Sequence, residues 1–543
     1  ELSGGSVEFT LCELPFTLRE GDARSLVLID RDGQRQTMRG TAIDRAASAE
    51  IFARSGHYAR AEVTVPPGTL YGAKGEGAGV TANEGARFPD GFLWGASTSS
   101  YQIEGAAEAD GRGPSIWDRQ CDLAGRVRNG DTGAVAADHY HRYREDVALM
   151  KELGLQAYRF SVAWPRIQPS GRGPVNQAGL DFYSRLIDEL LAAGITPMVT
   201  LYHWDLPQAL EDAGGWPERE TAERFADYAA HVFGALHDRI ERWTTLNEPW
   251  CSSVLGYFEG QHAPGDHDPV RTVRAVHHLL LGHGLAVEVM RAIDPEPLHG
   301  IVLNLTNTLA AVEDPSPVLR EGMRRSDGLR NRVWTDALLE GRYPDDVLAD
   351  LEPFGGLPIE AGDLETIAQP LDWLGINYYN DAVYIEESQA TDRFVPGIEG
   401  VIGADPGPVK TDMGWPITPD GLGALMVDLT RRYPNLPPLY VTENGCAYDD
   451  PVVDGRCRDP RRIDYLDAHI RAVHAAIEEG ADVRGYFQWS LMDNFEWSYG
   501  YAMRFGMVHI DYDTLARTPK DSAYWYRDVI RRNGLPAATM ERP

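Results

Sequence analysis

Long apolar runs and positive charge are both scarce in this chain. No uninterrupted apolar stretch of the 543 residues approaches the roughly 18 residues that a membrane-crossing helix needs, so we expect a soluble protein. Lys and Arg number 51 against 82 Asp and Glu, which gives a formal net charge of −31. A surface that negative repels phosphate backbones and anionic lipid heads, so we expect neither nucleic acid nor a membrane as a partner.

Cysteine is also rare. The five cysteines are odd in number and widely scattered, which argues against a disulfide scaffold: Cys12, Cys121, Cys251, Cys446 and Cys457. Cys446 and Cys457 are near enough in sequence to meet across a loop, but we expect two free thiols. The chain opens without a charged-then-apolar leader, which favours a cytoplasmic location, although Glu1 is not an initiator methionine.

A glycine-rich strip divides the chain. Hydrophobic residues make up 43% of the chain and aromatic residues 10%, enough for a large buried core. Residues 66–88, by contrast, hold six glycines and almost no apolar periodicity, and we interpret residues 69–87 as a linker. The run from Gly75 to Gly79 could suggest a phosphate-cradling loop, but it lacks the flanking strand and helix that such a loop requires.

Residues 1–68, before the strip, have the pattern of a small β-rich module. The β-favouring runs SVEFTL, SLVLID and AEVTV alternate with turn residues, and Asp32-Gly33 indicates a hairpin, while residues 44–56 suggest a helix. All 13 tryptophans lie from Trp94 onward. A packing or stabilising role is therefore favoured over a sugar-binding surface, which usually relies on large aromatic faces. The module's purpose stays open.

From Phe92 onward, apolar runs alternate with amphipathic helical stretches. After Asp138 apolar residues recur at 140, 143, 147, 150 and 153 before Gly154, and a second such stretch ends at Gly194. The apolar runs lack the alternation of half-exposed strands, and there are eight of them: FLWGAST, AYRFSVAW, TPMVTLYHW, RWTTLNEP, HGIVLNLT, WLGINYYN, PPLYVTENG and VRGYFQWSL. This order predicts an α/β fold, a (β/α)8 TIM barrel over residues 88–543.

Polar and aromatic side chains come at the ends of the predicted strands, where the working residues of such barrels lie. Glu248 ends the fourth strand, in a conformation that Pro249 biases toward an extended or turn geometry, and Glu443 ends the seventh. The other ends carry Gln102, Arg159, His203, Trp204, Asn247, Asn377, Tyr379 and Trp489. Each residue alone has an ordinary structural explanation. Together they fit glycoside hydrolysis, in which one carboxyl protonates the leaving oxygen and another supports or attacks the anomeric carbon.

Seven stretches carry a more specific resemblance: FPDGFLWGASTSSYQIEGA, YRFSVAWPRIQP, YHWDLPQAL, TLNEP, INYY, YVTENG and MDNFEWSYGYAMRFG. Through them, residues from about 88 to about 532 resemble the family 1 glycoside hydrolases, the retaining β-glucosidases and their relatives. The resemblance implies hydrolysis of terminal β-D-glucosyl residues, or of β-galactosyl or β-fucosyl ones, with retention through a covalent glycosyl-enzyme. It does not cover the amino-terminal module.

The resemblance also implies a role for each site residue. Glu248 would be the general acid/base and Glu443 the nucleophile, so the pKa of Glu248 has to be raised by its negative neighbour. Arg159, Tyr379 and Asn377 would support the nucleophile. The substrate-binding residues would be Gln102, His203, Trp204, Asn247, Trp415, Trp489, Glu496 and Trp497, with Asn304 a further candidate on the aglycone side. Met503 replaces a common lysine and would lie outside the immediate site.

Other functions also compete with β-glycoside hydrolysis. A metal enzyme is disfavoured because the histidines lack the spacing of a zinc helix, and we expect no metal and no cofactor: His139, His141, His277, His278 and His283. Glu496 would repel a phosphosugar. A transglycosylase using the same glutamates stays an alternative, as does a non-catalytic sugar-binding barrel, although the latter would be expected to lose Glu248 or Glu443. The sequence leaves the preferred β-glycoside and the oligomeric state open.

Overall fold

The computed structural model describes residues 6–10, 25–30, 35–39 and 58–64 as strands, and then residues 85–391, 399–405 and 408–536. The chain forms two compact units, Glu1–Ala82 and Asn83–Pro543. Their division falls inside the glycine-rich strip.

The first unit contains a four-stranded antiparallel sheet in the order first, fourth, second, third. Its strands are Ser6–Thr10, Ser25–Asp30, Arg35–Arg39 and Tyr58–Thr64. The antiparallel pairing of the second strand with the third agrees with the predicted hairpin, although its turn lies outside the described residues. The helix predicted over residues 44–56 also lies outside them.

The second unit is a closed barrel of eight parallel strands, as the sequence predicted. Each strand pairs with the next along the chain, and the eighth pairs with the first. In chain order the barrel strands are Leu93–Ser97, Ala157–Ser161, Thr196–Tyr202, Arg242–Asn247, Leu298–Asn304, Trp373–Asn377, Leu439–Asn444 and Val483–Trp489.

The barrel strands are buried on both faces. Every residue of the second, sixth and seventh strands is buried, which explains why their sequences show no polar alternation. One apolar cluster joins side chains from six strands and must therefore fill the barrel interior: Ala157, Met198, Val302, Trp373, Tyr440 and Phe487. Glycines on adjacent strands make room for its large rings. A Cβ atom at Gly300 would lie 2.4 Å from the Trp373 ring.

Helices surround the barrel and bury one apolar side. The predicted helix after Asp138 spans His139–Glu152, and the second predicted helix spans Gln177–Ala193 and ends at Gly194, whose φ of 79° suits glycine. The other helices of eight or more residues are Arg219–Leu236, Pro269–Ile293, Pro317–Asp327, Val333–Glu340, Pro419–Arg432, Pro460–Glu478 and Asp521–Arg532.

Shorter elements lie in the connections between successive barrel strands. They include the helical segments Ser100–Ile103, Ile116–Asp122, Trp164–Ile167, Gln208–Glu211, Asp345–Leu351 and Asp363–Ile367, and a π-helical segment Cys251–Phe258. A small sheet joins Thr308–Ala310, Ala382–Thr391 and Glu399–Gly403. In the part of the chain that is described, no helix combines the length and apolarity needed to span a membrane.

Four cysteines fall within the described residues, and all four are free thiols: Cys121, Cys251, Cys446 and Cys457. The expectation that Cys446 and Cys457 stay unpaired is therefore confirmed. Cys12 lies outside the described residues.

Gly300→Ala should destabilise the barrel by about 1–3 kcal/mol, because its methyl group would overlap the Trp373 ring and a backbone oxygen 2.7 Å away. The matched control is Gly234→Ala in the helix Arg219–Leu236, where no described atom lies within 4 Å of the added Cβ. That control should stabilise by up to about 1 kcal/mol. Thermal unfolding midpoints of the two variants should move in opposite directions, and equal midpoints would contradict the packing argument.

Candidate active site

The barrel brings the predicted site residues to one end, at the carboxyl ends of its strands. Arg159, Asn247, Asn377, Glu443 and Trp489 lie within the last three residues of the second, fourth, sixth, seventh and eighth strands. The remaining site residues follow their strands. In particular, the third strand ends before His203 and Trp204, the fourth before Glu248 and the sixth before Tyr379, so these four belong to the loops.

Glu443 is held by a cation and a phenol. Arg159 Nη1 donates to its Oε1 at 2.7 Å and the Tyr379 hydroxyl donates to its Oε2 at 2.8 Å. The carboxyl is 3% exposed. Burial raises the pKa of Glu443, whereas the Arg159 charge and the hydrogen bonds from Arg159, Tyr379 and Asn377 oppose that rise and favour the carboxylate.

Two asparagine amides orient the site. Asn247 Oδ1 accepts from Arg159 Nη2 at 2.6 Å and from Asn377 Nδ2 at 3.1 Å. Thr442 Oγ1 donates to Asn377 Oδ1 at 2.8 Å, which turns the Asn377 Nδ2 group toward Glu248. That group donates to Glu248 Oε1 at 2.6 Å. Through Asn247 and Arg159, the network that holds Glu248 therefore also reaches Glu443.

Glu248 has a different environment from Glu443. It is 5% exposed, and its φ of 47° is left-handed, which is rare for a glutamate and departs from the extended geometry that a residue before a proline usually adopts. Asn377 donates to Oε1, and the Cys251 thiol donates to Oε2 at 2.9 Å. Burial and the charge of Glu443 raise the pKa of Glu248 to about 7. Near neutral pH, this carboxyl holds its proton for a substantial part of the time.

A third carboxyl, Glu496, lies near the same pair. Gln102 Nε2 donates to its Oε2 at 3.3 Å, and the Ser99 hydroxyl donates to Gln102 Oε1 at 2.7 Å, which fixes the amide orientation. Burial and the charges of Glu443 and Glu248 raise the pKa of Glu496 to about 8. A neutral Glu496 can both donate and accept hydrogen bonds, as binding a sugar hydroxyl requires.

The loop that carries Glu496 is anchored by buried ion pairs. Asp493 Oδ1 accepts from Lys520 Nζ at 3.0 Å, and its Oδ2 accepts from Arg504 Nη1 at 2.8 Å. Asp493 and Lys520 are fully buried, so removing either partner would leave an uncompensated charge in the core. This network anchors the loop at Asp493, a few residues before Glu496 and Trp497.

His203 is a neutral hydrogen-bond donor. Asn247 Nδ2 donates to His203 Nε2 at 3.2 Å, so the ring proton resides on Nδ1. That Nδ1 is buried, and it has no partner among the described residues. Burial and the Arg159 charge keep the pKa of His203 well below its usual value.

Aromatic rings wall the site on two sides. On one side, Trp497 packs against Trp204 and Trp117 with ring centroids 4.6 Å apart in both pairs. The Trp204 Nε1 group donates to the Asn247 carbonyl at 2.9 Å. Because this N–H is already paired, Trp204 can contact a ligand only through the face or edge of its ring.

On the other side, Trp489, Phe505 and Ala447 form a cluster. Tyr379, Trp415 and Met503 pack against this cluster. Met503 therefore contacts the aromatic cluster, and its place outside the immediate site stays a prediction.

Sequence reasoning missed residues that orient the catalytic groups. Thr200 Oγ1 accepts from Arg159 Nε at 3.1 Å, and Thr442 and Cys251 make the contacts described above. Asn304, which the resemblance suggested as a substrate-binding residue on the aglycone side, has its Nδ2 3.6 Å from the Cys251 sulfur. The register between the sixth and seventh strands shifts just before Asn377, which pairs Asn377 with Glu443 in place of Thr442 and could not be foreseen from alternation.

The histidines considered as metal ligands have other partners. His139 pairs with Asp146 at 2.7 Å, His277 with Asp363 at 2.8 Å and His283 with Thr245 at 2.7 Å. Among the described residues, no group of three or more His, Cys, Asp or Glu side chains could hold a metal ion.

The barrel mouth therefore holds two opposed carboxyls, one paired with a guanidinium and the other protonated near neutral pH, among amides, a neutral histidine and aromatic walls. One carboxyl can attack while the other transfers a proton, which is the chemistry of a glycosidase. The chain matches the sequence pattern of Glycosyl hydrolase family 1 over residues 84–535. It belongs to that family.

Known relatives agree with this assignment. Thermostable beta-glucosidase B of Thermobispora bispora is 52% identical over 463 residues, covering 85% of this chain and 94% of the relative. The bifunctional beta-D-glucosidase/beta-D-fucosidase of Bifidobacterium breve is 47% identical, covering 82% and 98%. The crystal structure of the psychrophilic beta-glucosidase BglU from Micrococcus antarcticus superposes with a TM-score of 0.79 at 48% identity, covering 82% of this chain and 98% of that one.

Glu443→Gln should lower the pKa of Glu248, because it removes the negative charge that helps to raise that pKa to about 7. A carbon-13 NMR titration of the glutamate carboxyls measures the change. The control is Glu220→Gln, an exposed residue paired with Arg224, which should leave the Glu248 titration unchanged. A Glu248 pKa that stays the same or rises in Glu443→Gln would contradict the coupling.

Proposed function

We propose that this chain is a retaining β-glucosidase that hydrolyses terminal non-reducing β-D-glucosyl residues, with β-fucosides or β-galactosides as secondary substrates. The observation that carries the proposal is the unequal pair of carboxyls, with Arg159 on Glu443 and a proton on Glu248. The names of the relatives support glucose as the sugar, and one of them also names fucose.

In the first step, Glu443 attacks the anomeric carbon while Glu248 gives its proton to the glycosidic oxygen. The C–O bond to the aglycone breaks, and a glycosyl ester on Glu443 forms. The short separation that this retaining mechanism needs is supported by the charge of Glu443, which acts strongly enough on Glu248 to help raise its pKa to about 7.

In the second step, the ester carries no charge, so the pKa of Glu248 falls and its carboxylate becomes a base. Glu248 takes a proton from water as the water oxygen bonds to the anomeric carbon. The ester bond breaks, Glu443 leaves as the carboxylate that Arg159 and Tyr379 stabilise, and the sugar departs with its original β configuration.

The glycone is bound by hydrogen bonds and ring stacking. Gln102, Glu496 and His203 would bind hydroxyls, Asn247 would face the 2-hydroxyl, and Trp489 would stack beneath the ring. Glu496 supplies no positive charge for a phosphate and repels it when ionised, so unphosphorylated small β-glycosides such as cellobiose are the proposed substrates. Trp415 would wall the aglycone side.

Hydrolysis is favoured over transglycosylation, since the relatives are named for hydrolytic glucosidase activity. A non-catalytic sugar-binding barrel is disfavoured because both glutamates are present and coupled. The cytoplasmic location and the lack of nucleic-acid partners stay predictions from composition.

The direct experiment is a panel of nitrophenyl glycosides with product configuration followed by NMR: β-glucoside, β-galactoside, β-fucoside and α-glucoside. We expect turnover of the β-glucoside, no turnover of the α-glucoside and β-configured glucose as the first product. An α-configured first product would mean inversion and would overturn the mechanism.

Variants assign the two glutamates in the same assay. Glu443→Gln should abolish turnover of the aryl β-glucoside, because the nucleophile is lost. Glu248→Ala should retain slow turnover of substrates with good leaving groups and should regain rate with azide, which replaces the base-assisted water and yields a β-glycosyl azide. Near-native rates in Glu443→Gln would exclude it as the nucleophile.

We also propose that residues 1–68 form an attached module and residues 69–87 its linker. The family match begins at residue 84, which supports this division. Deletion of residues 1–80 should therefore leave kcat and KM for the aryl β-glucoside close to those of the full chain, since every candidate site residue lies within the family match. Loss of soluble protein on deletion would instead show that the module stabilises the barrel.

A further inference from the structure

A cysteine contacts the proposed acid/base directly. The Cys251 sulfur lies 2.9 Å from Glu248 Oε2 and is buried with its residue, which is 5% exposed. Cys251 begins the π-helical segment that follows Glu248, and its backbone N–H donates to the Glu248 carbonyl at 2.9 Å. Main-chain and side-chain contacts therefore fix the thiol beside the carboxyl.

The same sulfur is contacted from a neighbouring strand. Asn304, the last residue of the fifth barrel strand, points its Nδ2 at the Cys251 sulfur at 3.6 Å. The sulfur thus accepts from an amide while its own hydrogen is directed at Glu248. Such a chain of donors polarises the S–H group toward its acceptor.

The thiol stays protonated in this position. Burial and the adjacent Glu248 raise the pKa of Cys251 well above its usual value. It is therefore a hydrogen-bond donor at all pH values at which the enzyme works, and not a thiolate nucleophile.

Glu248 consequently receives one donor on each oxygen: the Asn377 amide on Oε1 and the Cys251 thiol on Oε2. We propose that Cys251 is a positioning residue for the acid/base, fixing the plane of the Glu248 carboxyl and stabilising its ionised form during the base-catalysed step. This inference rests on the proposed glycosidase function.

Other groups also act on Glu248 and have to be held constant in a test. Glu443 raises the pKa of Glu248 and Arg159 lowers it. The charge of Glu248 in turn influences Glu496 and Tyr379, and Arg330 acts on Cys251 itself. Substitution of Cys251 leaves all of these charges in place, so a change in the pH profile reports the thiol.

The test uses paired variants of the full chain. Cys251→Ala removes the donor, so the ionised form of Glu248 loses stabilisation and the basic limb of kcat/KM for cellobiose should move up by roughly half to one pH unit. Cys251→Ser keeps a donor, and a hydroxyl donates more strongly than a thiol, so its basic limb should stay at the wild-type pH or move down.

Cys457 provides the matched control. Its buried thiol also donates a hydrogen bond, at 3.2 Å, but to the Asp450 backbone carbonyl and not to a catalytic carboxyl. Cys457→Ala and Cys457→Ser should leave the pH profile where the wild type has it, although thermal unfolding of either variant is free to change.

The outcomes are distinct. The proposal is overturned if both Cys251 variants keep the wild-type basic limb, or if both move it upward. If Cys251→Ala does not fold, Cys251→Ser decides alone, because an upward shift contradicts a stronger donor. Failure of the proposed function would look different: the wild type would not cleave any β-glycoside, or Glu248→Ala would keep the wild-type basic limb.

Discussion

The barrel mouth holds two buried catalytic carboxyls, but the guanidinium of Arg159 pairs with only one of them. The chemistry of the site depends on that unequal pairing. Arg159 uses Nη1 for Glu443 and Nη2 for the Asn247 amide. Among the described residues, the donors that contact Glu248 are an amide and a thiol. A second negative charge in this space has no cation of its own, so the proton stays on Glu248. Glu248, the carboxyl that has to give a proton to the substrate, is therefore the one that is protonated.

The barrel makes this imbalance possible by bringing distant residues together at one end. Arg159, Asn247, Asn377 and Glu443 come from four strands spread over nearly 300 residues of sequence, yet they form one hydrogen-bonded network. The packed interior fixes the strands, and the register shift before Asn377 pairs this residue with Glu443 on the next strand. Glu248 follows in a left-handed conformation that the surrounding contacts have to sustain.

Much of this arrangement could be predicted from the sequence. Eight unbroken apolar runs predicted the barrel strands because a strand covered on both faces has no polar side to display. Glu248 and Glu443 could be chosen because motifs at strand ends are local in sequence. Thr442 and Cys251 could not be chosen, since a hydroxyl or a thiol beside a glutamate has many local uses, and only the folded structure shows that these two side chains donate to Asn377 and to Glu248.

The sequence by itself determined the barrel, its family resemblance and the two carboxyls, because each is encoded in a short pattern of neighbouring residues. Only the tertiary structure decided that the Asn377 amide and the Cys251 thiol donate to Glu248, and that burial joins the Glu443 charge in raising the pKa of Glu248 to about 7. Those features depend on burial and on distances between residues far apart in the chain, and electrostatic energies in a low-dielectric interior change steeply with such distances.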